Sequence, residues 1–273
     1  MAKMLKKFFI ILIASIIIFI WLIPMFYILL TAVRPTRDFY MYGMFAFPRR
    51  IELANFVIAW QRISGFYFNS IIVTGVTIPI LLLVSSLAAY AFARMKFMFS
   101  ELILMIFLIG FMIPAAVTVF PLYHMFLNMG LLDSHWSLIS TGVAFGIPFN
   151  VYLMRGYIKG VPAEIEDSAR IDGCSSLKIY SHIILPLARP ILMIAAVLGF
   201  LAAWNEFFFA LTFLQSRDRM TITIGLQTFI QEWSAQYNLM TAGIVISAIP
   251  ALLLFIFFQK YLVIGLSEGA LKG

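Results

Sequence analysis

The sequence predicts an all-α membrane protein with six transmembrane helices. Composition is the first ground: the 273-residue chain is 63% hydrophobic and 11% charged, against roughly 45–50% and 25% in soluble globular domains. The second is a set of six apolar runs near the ~20 residues that a helix needs to cross a bilayer, at about 8–33, 68–93, 102–123, 136–154, 187–213 and 239–263. The distribution of Lys and Arg then orients the runs. With the N-terminus inside, twelve of the nineteen basic residues fall on inner segments and seven on outer ones, the bias expected when cytoplasmic loops retain positive charge. Both termini are therefore expected inside. The net charge of +7 belongs to loops and anionic lipid rather than to nucleic acid.

The first run follows Lys3, Lys6 and Lys7. It is far longer than a signal-peptide core of ~7–15 residues, and no small-residue cleavage site follows, so it reads as a retained anchor. Residues 34–67 form an outer excursion in which "IELANFVIAWQRI" suits a short interfacial helix. Prolines inside or near the ends of later runs, such as Pro79, Pro114, Pro148 and Pro250, are tolerated in membrane helices as kinks. The fifth run carries Asn205 and Glu206 near its outer end, in spans otherwise nearly free of charge. Glu206 is either an interface residue paired with another subunit or, with Asn205, a pathway contact. The second outer segment, 214–238, is long and mixed in polarity, with Gln227, Gln231 and Trp233 as candidate polar and aromatic contacts. One cysteine, Cys174, excludes an internal disulfide. The three histidines lack metal-ligand spacing such as H-E-x-x-H, so no metal site and no membrane-bound enzyme is expected. A secondary transporter would place ionisable groups at mid-membrane, which these spans do not offer.

Between the fourth and fifth runs lies a segment of another kind, "EDSARIDGCSSLKIYSHIILPLARP", residues 166–190. Four of the chain's twelve acids (Glu164, Glu166, Asp167, Asp172) crowd around its start. Pro162 suits a first helical position, and carboxylates in the first turns favour the positive helix end. Gly173 can take the left-handed geometry that stops a helix, and Ser175 or Ser176 can cap a second helix, "LKIYSHII", before Pro186. Helix, Gly turn, helix on the inner side makes either a docking surface or an ordinary solvated loop.

The segment resembles the EAA loop in membrane subunits of binding-protein-dependent ABC importers. That loop reads Glu-Ala-Ala, three residues, Gly, nine residues, Ile, one residue, Leu-Pro. Here Asp167-Ser168-Ala169, Gly173, Ile183, Leu185 and Pro186 keep every spacing, with Asp for Glu and Ser for Ala at the first two positions. "FYFNSIIVT" (66–74), "LAAYAFARMKF" (87–97), "WNEFFFALTFL" (204–214) and the ending "GLSEGALKG" are similar to the carbohydrate-importing branch, in particular its six-span maltose-type subunit. The resemblance implies a single type I ABC importer transmembrane domain over 1–273, with the EAA loop at 162–190 as a cytoplasmic coupling helix. It implies a second permease subunit, an ATPase dimer beneath, and an extracytoplasmic sugar-binding protein, in a bacterial plasma (inner) membrane. By the same resemblance Glu166, Asp167, Ala169, Asp172, Gly173 and Pro186 are the ATPase-coupling residues, and "EGALKG" reaches toward the ATPase. ATP and Mg would be bound by the partner, since this chain has no G-x-x-x-x-G-K-[ST] phosphate loop; no cofactor and no catalytic activity is expected of the chain itself. A polyamine- or phosphate-type permease of the same fold is the alternative.

Overall fold

The computed structural model describes residues 2–43, 46–231 and 234–270. They are nearly all helical. In order come α1 (Ala2–Ala32), α2 (Thr36–Tyr42), α3 (Ala54–Arg94), α4 (Ser100–Phe111), α5 (Ala115–Asn128) and α6 (His135–Lys159). There follow α7 (Ala163–Ile171), α8 (Ser176–Ile179), a π turn (Tyr180–Ile184), α9 (Leu185–Leu187), α10 (Arg189–Trp204) and α11 (Phe208–Phe213). The last stretch holds α12 (Ile222–Gly225), flanked by 3-10 turns, and then α13 (Tyr237–Ala270). Before α13, Ile230 pairs with Ala235 and Gln231 with Ser234 in a two-residue antiparallel hairpin.

Among the described residues four helices (α1, α3, α6, α13) are long and apolar enough to cross a membrane singly, and up to six crossings result if two bent pairs each count as one. The expected third span, 102–123, is thus corrected to two helices, α4 and α5, bent by 95°. The cause is Pro114, which cannot donate a helical hydrogen bond and sits in extended geometry with ψ 131 before α5. At 12 and 14 residues, the pieces reach ~18 and ~21 Å, each short of a ~30 Å hydrocarbon core. The expected fifth span, 187–213, is likewise divided. A 76° bend at Ala188 precedes α10, and residues 205–207 separate α10 from the six-residue α11. The expected interfacial helix at 51–63 is not a separate element either: from Ala54 it is the start of α3, a continuous helix of 41 residues.

The chain divides into two compact units, Met1–Gly65 with Gly225–Ile249, and Phe66–Ile224 with Pro250–Gly273. In the first, buried Asn55 donates through Nδ2 to the carbonyls of Ala32 and Arg34, at 2.9 Å each. Asn238 donates to Asn55 Oδ1 at 3.0 Å and accepts from Thr36 Oγ1 at 3.1 Å. Asn55 thereby satisfies the Ala32 carbonyl, one that the end of α1 itself leaves open. The most apolar window of α1 is 0% buried within the chain, as suits a helix solvated by lipid.

The second unit packs around two apolar clusters. One gathers Tyr90, Val151, Ile158, Ile179 and Ile184; the other gathers Val73, Phe126, Leu138, Phe209 and Phe213. Lipid tails are as apolar as these side chains, so close packing rather than escape from water must hold the helices together. Glycines permit that approach. A Cβ on Gly146 of α6 would lie 2.9 Å from Leu81 of α3, one on Gly142 3.1 Å from Thr77, and one on Gly199 of α10 3.3 Å from Leu81.

Candidate functional site

The segment 162–190 is built from local signals. Pro162, expected as the first helical residue, stands just before α7, at its cap. Gly173 takes φ +79, a conformation that costs a residue with a Cβ ~1–2 kcal/mol. It lets Gly173 N–H donate to Arg170 O and Cys174 N–H to Ala169 O, both at 3.0 Å, the paired bonds of a Schellman stop. Ser175 then caps α8, its Oγ accepting from Lys178 N–H at 3.4 Å. The helix does not end before Pro186 as the sequence suggests. It widens into the π turn Tyr180–Ile184 and carries Pro186 into α9, because the looser turn relieves the clash between a proline ring and the carbonyl four residues back.

The faces of this segment differ. Ala169, Ile179 and Ile184 are buried, at 7%, 0% and 0% exposure. Asp167, Arg170, Asp172, Gly173 and Pro186 are exposed, and so are two large apolar residues, Ile171 and Leu177. The outer face thus sets charged groups beside exposed apolar ones. Glu166 departs from expectation. It was expected to flank that face as a charge contact, but it is 2% exposed and turned inward. Three positions before Ala169 it shares the buried side of α7, while Asp167 and Arg170 share the outer one.

Inward, Glu166 pairs with Arg94, the last residue of α3, at 2.5 Å, and accepts from the Tyr90 hydroxyl at 3.3 Å. Arg94 Nη2 also donates to the carbonyls of Ile158 and Val161, at 2.9 and 2.5 Å. Ser86 and Tyr180 share a hydrogen bond of 2.7 Å. The 162–190 segment is thereby fastened to the end of α3 and to the last turn of α6. The role of Arg94 escaped the sequence reading; the only signal for it was a basic pair, Arg94 and Lys96, at the end of an apolar run.

At the other end of the same unit, Asn205 is exposed and donates to Leu201 O at 2.8 Å. Glu206 Oε1 accepts from Phe209 N–H at 2.7 Å, capping α11, and its carbonyl accepts from Thr223 Oγ1 at 2.7 Å. Asp133, also unforeseen, ties down the start of the 214–238 segment. Its carboxylate accepts from the backbone N–H groups of Gln215 and Ser216, at 2.8 and 2.9 Å, and from the Ser216 hydroxyl. Burial pushes its pKa up, but the hydrogen bonds from Ser216 and Gln215, with the charge of Arg219, outweigh that and hold it below the usual carboxylate value. Of the other expected contacts, Gln227 is exposed in the first unit. Gln231 lies in the hairpin backbone, and Trp233 is outside the described residues. Among the described residues no cluster of His, Cys, Asp and Glu is placed to hold a metal.

The profile of the family described as "binding-protein-dependent transport system inner membrane component" matches residues 81–267. A probable ABC transporter permease protein of Bacillus subtilis, YurM, is 35% identical over 251 residues, covering 92% of this chain and 83% of that protein. The melibiose/raffinose/stachyose import permease protein MelC of the same organism is 34% identical over 265 residues, covering 96% and 95%. In fold, the chain matches a chain of a bacterial ABC transporter that imports the acidic polysaccharide alginate. The TM-score is 0.83 over 95% of this chain and 97% of that one, at 22% identity.

Proposed function

The chain belongs to the family of binding-protein-dependent transport system inner membrane components, and from that membership we propose that it is one of two permease subunits of an ABC sugar importer. The sugar class rests on relatives such as MelC, whose name states import of melibiose, raffinose and stachyose. Half of the translocation path belongs to this chain and half to a second permease. An extracytoplasmic binding protein delivers the sugar, and a separate ATPase dimer binds ATP and Mg and drives the cycle. Both termini lie on the cytoplasmic side.

One observation supports the coupling role above the rest. An exposed ridge containing Asp167, Arg170, Ile171 and Leu177 is carried on backbone that the buried Arg94–Glu166 pair fastens to α3 and α6. A push on the ridge is therefore delivered to the spans rather than absorbed by a loop. Asp167 and Gly173 act on the ridge directly, the first by its charge and the second by the stop it permits, while Ala169 and Glu166 seat it from behind.

The test is to purify the complex with its ATPase and receptor and measure ATP hydrolysis against a panel of neutral oligosaccharides. Asp167→Lys reverses charge on the ridge, and Gly173→Pro forbids its positive φ. Each should cut sugar-stimulated hydrolysis and uptake at least tenfold while the subunit still inserts. Normal stimulation in both variants would remove the coupling role, and a wild-type complex that no sugar stimulates would remove the sugar reading.

A further inference from the structure

We infer that this subunit itself holds a neutral sugar unit, in a cavity of about 380 Å³ enclosed by α3, α4, α6, α10 and α11 of the second unit. The inference rests on the sugar-importer reading and adds to it a site on this chain. The volume falls in the range of small-molecule sites, roughly 300–1,000 Å³.

The chemistry of the walls selects the ligand. Phe111 and Phe149 stack at 5.9 Å between centroids, and Phe145 lies 5.6 Å from Phe209, all four lining the cavity. The negative faces of such rings suit the C–H faces of a pyranose or furanose. Four polar residues, Thr77, Thr141, Asn150 and Glu206, share the lining, and both threonine hydroxyls and one of the two Asn150 amide hydrogens are already committed. Thr77 donates to Val73 O at 2.7 Å and Thr141 to Ser137 O at 2.6 Å. Asn150 donates through Nδ2 to Gly146 O at 2.8 Å.

What remains is mostly acceptors. Asn150, at 4% exposure, has an Oδ1 with no partner among the described residues. One oxygen of Glu206 takes the Phe209 N–H, and a carboxylate has lone pairs for further donors. A buried acceptor without a donor is costly, and a ligand rich in hydroxyl donors relieves that cost. An anionic sugar would find at most the second amide hydrogen of Asn150 and would meet the Glu206 carboxylate. The cavity thus fits neutral sugars and disfavours uronates.

The experiment uses the complete importer with its receptor in proteoliposomes. Uptake of melibiose, raffinose and stachyose is compared with uptake of an alginate trisaccharide. Ala202 lines the cavity, so Ala202→Phe should fill part of it, and Glu206→Gln removes the charge at nearly constant shape. Ala202→Phe should lower uptake at least tenfold for the longest sugar and by less for the shortest. Glu206→Gln should raise the KM for neutral sugars severalfold and narrow the preference over the anionic one. To guard against misassembly, Ala202→Cys in a Cys174→Ser background is blocked after assembly with a bulky maleimide and should show the same length-dependent loss. Unchanged uptake in the blocked and substituted proteins would overturn the inference. So would an equal loss for every sugar, the mark of a packing void or a lipid-filled space. A wild-type importer that takes up no neutral sugar would instead defeat the sugar reading on which the site rests.

Discussion

Arg94 and Glu166 carry opposite charges in a place where water cannot reach either well, with side chains 13% and 3% exposed. Removing one partner of such a pair typically costs ~3–5 kcal/mol, because the other charge stays buried, whereas replacing both with apolar groups is often neutral. Arg94→Met is therefore expected to lower the thermal unfolding temperature of the purified complex sharply. The double variant Arg94→Met/Glu166→Met should recover most of that loss while still failing to couple ATP hydrolysis to transport, since the fastening of α7 to α3 is gone. A double variant no more stable than the single, or one that couples normally, would contradict this account. The sequence announces Glu166 as a charge near a helix start. It does not announce the direction of the side chain, because the deciding partner lies 72 residues earlier and meets it only in the folded chain.

Elements were legible where their signals are local and less so where tertiary packing decides. The Gly173 stop and the Ser175 cap depend on neighbouring residues, and both occur as read. The division of the third apolar run at Pro114 and of the fifth at 205–207 depends on whether neighbours re-satisfy the backbone at a break, which hydropathy does not report. The clasp at Asp133 belongs with these: it joins the loop after α5 to the segment after α11, 82 residues away, and no pattern in either stretch announces it. Because the folded state depresses the Asp133 pKa, the clasp's contribution is fully present above the unfolded value of ~3.9. It is lost as pH falls through the lower folded value. Pepsin cleavage near residues 215–219 in proteoliposomes should stay slow at pH 5 and rise only below about pH 4. Asp133→Asn should be cleaved readily at pH 5 already; equal protection of variant and wild type at pH 5 would show that the carboxylate does not hold the segment.

For the whole molecule, the side on which the 162–190 segment emerges depends on how many times the chain has crossed before residue 162. With α1 and α3 as crossings from an inner N-terminus, the chain is inside at residues 95–99. If α4 and α5 together make one crossing despite their 95° bend, α6 returns the chain inside, and α7 meets the ATPase. If the bent pair instead enters and leaves by the same face, α6 carries α7 outside and the coupling reading fails. The basic bias alone does not decide this, because the first outer excursion holds five arginines. Two exposed positions separate the cases, Lys96 before the bent pair and Asp218 after the fifth crossing. In a Cys174→Ser background, Asp218→Cys should react with a membrane-impermeant maleimide added outside, and Lys96→Cys only after the membrane is permeabilised. The re-entrant arrangement places both positions inside and predicts no external labelling of either. Labelling at Asp218→Cys alone thus fixes the parity of the crossings, and with it the cytoplasmic side for the ridge that Arg94 and Glu166 hold in place.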